Sequence, residues 1–130
     1  MSEGQDVPVR VRELHLVGED ERGWTRDFSI PRGQGEFIFL YRRQGSVSGN
    51  TYHEGTVSGT RPKIFLLASG SILFSYRPVA GESQSFCVDA PALIEIAPRV
   101  IHRVEAVMDV LLLEFNSLED IAQDRHRGEI

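Results

Sequence analysis

The 130-residue chain has a single cysteine, Cys87, so no disulfide bond can form within it. This excludes a small secreted scaffold held together by disulfide bonds, and a reducing, cytoplasmic setting is expected. Long apolar runs are also missing. The runs that exist, such as residues 110–113, are far shorter than the roughly 20 residues needed to cross a bilayer. We therefore expect no membrane partner.

An excess of basic residues is missing as well. The chain has 14 Lys and Arg residues against 19 Asp and Glu residues, which gives a formal net charge of −5. Nucleic-acid binders usually carry a basic patch or stripe, so no nucleic-acid partner is expected. Residues 1–6 have neither the basic start nor the apolar stretch of a secretory signal. The length and the 41% hydrophobic content are those of one globular domain, residues 1–130.

Helical periodicity is scarce, and short apolar stretches alternate with turn-forming residues. This pattern is typical of an all-β sandwich or barrel, and closing the sheets into a jelly roll would protect the strand edges. The predicted strands are residues 8–17, 24–30, 36–43, 47–53, 63–68, 71–77, 83–88, 92–96, 102–106 and 110–115.

Turn residues divide these strands. Ser69-Gly70 predicts a tight hairpin, residues 78–82 predict a second one, and residues 54–62 read as a flexible loop. A short C-terminal helix is expected after Ser117, which would cap it together with Asp120. The charged residues 124–130 are expected to fray.

Two of the four histidines are candidates for chemistry. His126 lies in the charged tail and is expected to be solvated. His15 lies between two leucines on the first strand and is expected to face away from them. His53 and His102 remain as candidates, and each lies at one end of a predicted strand.

Four segments in this order resemble the cupin superfamily. Residues 49–53 (Gly-Asn-Thr-Tyr-His) lie where cupins have a motif ending in His-x-His. Residues 63–70 correspond to the next part of that motif, a strand segment that begins with a Glu and ends with a Gly in cupins. Residues 96–102 resemble the second motif, and residues 20–24 (Asp-Glu-Arg-Gly-Trp) resemble the opening of sugar-nucleotide cupins. The resemblance covers about residues 17–115. It implies a cupin jelly-roll β-barrel related to dTDP-4-dehydrorhamnose epimerases, sugar-nucleotide 3,4-ketoisomerases and the cupin domain of capsular polysaccharide reductases.

The chain departs from the metal-binding cupin pattern. The four positions that resemble cupin ligands hold Thr51, His53, Lys63 and His102. Threonine is a poor transition-metal ligand, a protonated lysine repels a cation, and only two imidazoles remain. We expect neither a bound metal nor another cofactor.

Lys63 has two interpretations. It shares a strand face with Phe65 and Leu67, which favours a side chain that points into the barrel. Burial there would lower the pKa of Lys63. It could instead extend outward to solvent. The arginine that relatives use near the phosphates of the nucleotide is Ser48 here. Arg42, Arg43, Arg77 and Arg99 are either substitutes for it or solvated surface charges.

The resemblance implies a pocket for a small molecule such as a nucleotide sugar, in a homodimer. The candidate catalytic residues are His53, His102 and Lys63, and the candidate ligand-binding residues are Thr51, Phe74, Tyr76 and Arg77. The expected chemistry is proton transfer beside the carbonyl of a ketosugar. A non-catalytic binding module of the same fold and a metal-dependent cupin enzyme stay open as alternatives.

Overall fold

A computed structural model describes residues 7–130, and the acidic segment 1–6 lies outside the described residues. Residues 7–130 form two five-stranded antiparallel sheets and one separate hairpin. The first sheet has the order β1 (Val9–Glu13), β9 (Ala92–Ile96), β6 (Lys63–Ser69), β11 (Val110–Glu114), β4 (Ile38–Arg42). The second has the order β12 (His126–Arg127), β5 (Val47–Tyr52), β10 (Val100–Ala106), β7 (Ser71–Pro78), β8 (Gln84–Asp89).

The remaining elements are short. The hairpin consists of β2 (His15–Asp20) and β3 (Gly23–Asp27), and a 3-10 helix spans Ser58–Thr60. The one α-helix of the described residues, α1 (Leu118–Gln123), begins with the predicted cap. Ser117 accepts from the Asp120 amide, and the Asp120 carboxylate accepts from the Ser117 amide. No helix within residues 7–130 is long and apolar enough to cross a membrane.

The main core lies between the two sheets. Alternation along β6 turns Phe65 and Leu67 toward β7, whose Ile72 and Phe74 are fully buried in the same cluster. The opposite face of β6 carries Ile64. That residue belongs to a second, smaller cluster on the outer face of the first sheet, with Leu14, Leu93 and Phe115. The fold is therefore an all-β jelly-roll barrel with a short C-terminal helix.

The predicted hairpin at Ser69-Gly70 is wrong. The strands on its two sides, β6 and β7, belong to different sheets, so the chain turns a corner there. Gly70 has φ +92°, and a Cβ atom on it would lie 2.6 Å from the Asp109 carbonyl oxygen. Glycine is required at this corner, but its presence does not show which strand the next one will pair with. The hairpin at residues 78–82 is confirmed, because β7 and β8 pair directly.

The predicted strand 8–17 is two strands. β1 pairs with β9 in the first sheet, whereas β2 pairs only with β3. Between them, Leu14 is buried in the second cluster, which redirects the chain. Because apolar and polar residues alternate both before and after this break, the sequence pattern predicts one strand.

The C-terminal segment is ordered against the barrel, so the expectation that residues 124–130 fray is wrong. Asp124 is fully buried. β12 pairs with β5, placing Arg127 opposite Thr51, and the Gly128 amide donates to the Asn50 carbonyl oxygen at 3.0 Å. The partners that hold the segment are about 70 residues away in the chain, so composition near the terminus could not reveal them.

Candidate functional site

A cavity of about 350 Å³ opens into the barrel between the two sheets. His53, His102, Lys63 and Thr51 all line it, together with apolar side chains that include Phe65. The four positions singled out in the sequence thus lie around one cavity, although the chain separates His53 from His102 by the whole of β6 to β9.

The pairing of β5 and β10 contains a bulge beside His102. The register shifts between His102 and Arg103, and His102 lies opposite Thr51. Gly49 has φ +108° at this point, and a Cβ atom on it would lie 2.7 Å from the His102 carbonyl oxygen. Only glycine permits this close approach of the two strands. The bulge therefore requires the glycine at position 49 of the motif.

The His53 and His102 rings lie 5.5 Å apart, centroid to centroid, and both residues are buried. His53 Nδ1 lies 2.5 Å from the backbone carbonyl oxygen of Asp124, and His102 Nδ1 lies 3.2 Å from that of Val100. A carbonyl oxygen can only accept, so each Nδ1 carries the hydrogen. In both neutral rings Nε2 is left as the basic nitrogen.

Burial keeps both rings uncharged. It lowers the pKa of His102 to about 3, and the neighbouring His53 and Lys63 lower it further. Burial also lowers the pKa of His53, against the opposing effect of the Asp124 carbonyl oxygen. Both folded-state pKa values lie below the ordinary value, so the unfolded chain binds protons more readily below about pH 6.5. Acidification through that range therefore destabilises the fold.

Lys63 points into the barrel, as its alternation with Phe65 and Leu67 favours. Its Nζ donates to Glu114 Oε1 at 2.8 Å and to Asn116 Oδ1 at 2.7 Å. Burial lowers the pKa of Lys63, while the Glu114 carboxylate favours the charged form. Glu114 and Asn116 lie at the end of β11, and sequence analysis did not select them.

A buried carboxylate ties the C-terminal segment to the loop after His53. Asp124 accepts hydrogen bonds from the amides of Glu54, Gly55 and Thr56 at 2.8–3.0 Å and from Thr60 Oγ1 at 2.6 Å. Burial opposes its ionisation, but these hydrogen bonds outweigh burial and hold the pKa of Asp124 below its usual range. The loop predicted to be flexible is thus anchored, and the same residue positions the His53 ring.

Phe74, Tyr76 and Arg77 do not line the cavity. Phe74 is fully buried in the main core. The Tyr76 hydroxyl donates to Gln84 Oε1 at 3.2 Å, and the Arg77 guanidinium donates to carbonyl oxygens of the chain. All three lie on β7, which β10 separates from β5 in the second sheet. Among the predicted ligand-binding residues, the cavity includes only Thr51.

The chain matches known proteins in structure but not in sequence. No family model matches the chain, and no curated protein matches it in sequence. Solved structures do match. One is QdtA, a sugar 3,4-ketoisomerase from Thermoanaerobacterium thermosaccharolyticum in complex with TDP. It has a TM-score of 0.71 and 14% identity over 95% of this chain and 90% of that chain.

Two further structures come from other organisms. The dTDP-4-dehydrorhamnose 3,5-epimerase of Sulfolobus tokodaii has a TM-score of 0.66 and 18% identity over 98% of this chain and 75% of that chain. CapF of Staphylococcus aureus, a capsular polysaccharide assembling protein, has a TM-score of 0.62 and 22% identity over 92% of this chain and 33% of that chain. The chain has the cupin fold.

The positions that resemble cupin metal ligands in the sequence hold Thr51, His53, Lys63 and His102. Within residues 7–130, no three histidine, cysteine or acidic side chains converge into a group that could hold a metal ion. Lys63 lies beside the two imidazoles, and its ammonium group takes Glu114 as its partner. The cavity therefore combines two neutral bases with a buried cation.

Proposed function

We propose that this protein acts on a ketosugar nucleotide, as an isomerase or epimerase that moves protons at carbons beside the ketone. The observation that carries the proposal is the pair of neutral imidazoles, each held through Nδ1 and each keeping a basic Nε2, beside Lys63. The similarity to a 3,4-ketoisomerase bound to TDP and to a 3,5-epimerase supports this substrate class.

In the proposed reaction, His53 Nε2 removes the proton from the carbon beside the carbonyl. The electrons of the broken C–H bond form a C=C bond, and the carbonyl π electrons move onto oxygen, giving an enediolate. The Lys63 ammonium group stabilises that negative charge. Return of that proton from His53 to the neighbouring carbon yields the isomer, while the proton of the hydroxyl group on the first carbon moves to the former carbonyl oxygen by way of His102 Nε2. Delivery of a proton from water to the other face of the first carbon, with release of the His53 proton to solvent, yields the epimer. Thr51 lies on β5, two residues before His53 and opposite His102, and contributes a hydroxyl to the pocket wall.

Incubation in D2O tests this proposal. The protein is incubated with TDP-4-keto-6-deoxyglucose, and deuterium incorporation is followed by NMR and mass spectrometry. Deuterium is expected at the carbons beside the ketone, and incorporation is expected to survive treatment with EDTA. Buffer alone and heat-denatured protein are the controls.

Each alternative predicts a different result. Exchange that disappears with EDTA and returns with a divalent metal would favour a metal-dependent cupin. Ligand binding without exchange would favour a non-catalytic binding module, which Thr51 and Lys63 at two motif positions also favour. Either result contradicts the proposed metal-free proton transfer.

A homodimer is part of the proposal. On the strand face opposite the cavity, Phe37, Phe39 and Tyr41 have exposed fractions of 50%, 68% and 52%. β1 is also an edge strand of the first sheet. An exposed apolar patch and an open strand edge both favour association with a second copy.

Light scattering tests the homodimer. A mass of twice the 14.6 kDa of the chain is expected, and Phe39→Glu is expected to shift the protein toward the monomer. Leu118→Glu is a matched control, because Leu118 is also exposed but lies on α1. A strictly monomeric mass for the unmodified protein at high micromolar concentration would contradict the dimer.

A further inference from the structure

Three arginines that are not neutralised by acidic side chains surround the cavity. Arg42 lies on β4, and Arg125 and Arg127 lie on the C-terminal segment after α1. Within residues 7–130, none of the three forms an ion pair, whereas Lys63 is paired with Glu114. The chain as a whole carries a formal charge of −5, so this local positive charge does not reflect the average surface.

The pairing of β12 with β5 directs Arg127 toward the cavity. Arg127 lies opposite Thr51, and directly paired residues of antiparallel strands project to the same face of a sheet. The adjacent His126 faces the other way, and its ring lies 5.2 Å from that of Tyr52. Asp124 anchors the same segment one residue before Arg125. The two arginines are therefore held by ordered backbone.

Arg42 approaches from the other sheet. It alternates with Ile38 and Leu40 on β4, and all three line the cavity. Its Nε donates to Ser48 Oγ on β5 at 3.0 Å, which links the edge strand of the first sheet to β5, the neighbour of β12 in the second sheet. Arg42 and Arg127 thus flank the cavity from β4 and β12, the facing edge strands.

We propose that Arg42, Arg125 and Arg127 bind the diphosphate group of the ligand, so that the C-terminal segment forms one wall of the binding site. Planar guanidinium groups donate paired hydrogen bonds to phosphate oxygens, and three of them more than offset the two negative charges of the diphosphate in a sugar nucleotide. Because His53 and His102 are neutral, the arginines supply the positive charge that binds the phosphates. This inference rests on the proposed function and identifies which residues of this chain select a diphosphate-bearing substrate.

Calorimetric titration with TDP and with inorganic pyrophosphate tests the inference without turnover. The variants are Arg42→Gln, Arg125→Gln and Arg127→Gln, each checked for folding by circular dichroism. Each is expected to bind TDP about 10- to 100-fold more weakly, the usual effect of losing a charge-assisted hydrogen bond. Arg43→Gln is the matched control, because Arg43 is exposed beside Arg42 and does not line the cavity. Its affinity is expected to stay unchanged.

Several outcomes would overturn the inference. The inference is wrong if the unmodified protein binds neither TDP nor pyrophosphate. It is also wrong if Arg43→Gln weakens TDP binding as much as the cavity variants do, or if the three cavity variants keep full affinity. If a Gln variant does not fold, the Lys variant at that position keeps the charge and is measured instead, with partial loss expected. Arginine-dependent binding without deuterium exchange would reject only the proposed function, and exchange that does not depend on the arginines would reject only this inference.

Discussion

Replacing Asp124 with alanine is expected to lower the free energy of unfolding by about 3 kcal/mol. The carboxylate is fully buried and accepts from the amides of Glu54, Gly55 and Thr56 and from Thr60 Oγ1. Without it, these donors lose their acceptor inside the fold. Chemical denaturation of the two proteins at neutral pH measures the difference.

Acidification provides a second readout for Asp124. Its folded-state pKa is lowered, so its contribution is fully present above the ordinary aspartate pKa and is lost as the pH falls toward the folded-state value. The difference between the unmodified protein and Asp124→Ala is therefore expected to shrink below about pH 4. Glu129→Ala is the matched control, because Glu129 is an exposed acid on the same segment. A loss as small as that of the control at neutral pH would show that Asp124 does not anchor the segment.

Replacing His53 with asparagine is expected to reduce the rate of deuterium exchange by about 10²–10⁴-fold. Asparagine approximates the size of the ring and keeps a hydrogen-bonding amide, but it cannot accept a proton from carbon near neutral pH. The loss is expected in kcat, while TDP affinity and melting temperature change little. His102→Asn is expected to reduce exchange as well, since its Nε2 belongs to the same pair.

His15→Asn is the matched control for both histidine variants. His15 is exposed, and its Nδ1 lies 3.0 Å from Asp27 Oδ1 on the separate hairpin. Exchange is expected to stay unchanged in this variant. If His53→Asn and His102→Asn keep the full exchange rate but melt at lower temperature, the pair is structural and its assignment to proton transfer is wrong.

Local patterns in the sequence determined most of the strands and the beginning of α1. Alternation decides which face a side chain occupies, and so it correctly turned Lys63 inward with Phe65 and Leu67. The cap at Ser117 and Asp120 is formed within one turn of helix, so it too is visible in the sequence. The spacing that resembles cupins placed His53 and His102 together, because it encodes the order of whole strands.

Only the tertiary structure decided where strands change sheets. Gly70 marks a turn in the sequence, but whether β7 folds back on β6 or crosses to the second sheet depends on the core that both strands help to close. For the same reason Phe74 and Tyr76, which alternate like pocket residues, pack away from the cavity. Alternation gives a face of a strand, and it does not give the position of that strand within the sheet.

The C-terminal segment is the clearest case of a feature that only the tertiary structure decided. Its charged sequence predicted fraying, yet Asp124 is buried and Arg127 faces the cavity. The groups that stabilise Asp124 belong to the loop after β5, about 70 residues earlier in the chain. A buried charge is stable only where several donors converge on it. In this chain the folded barrel brings those donors together.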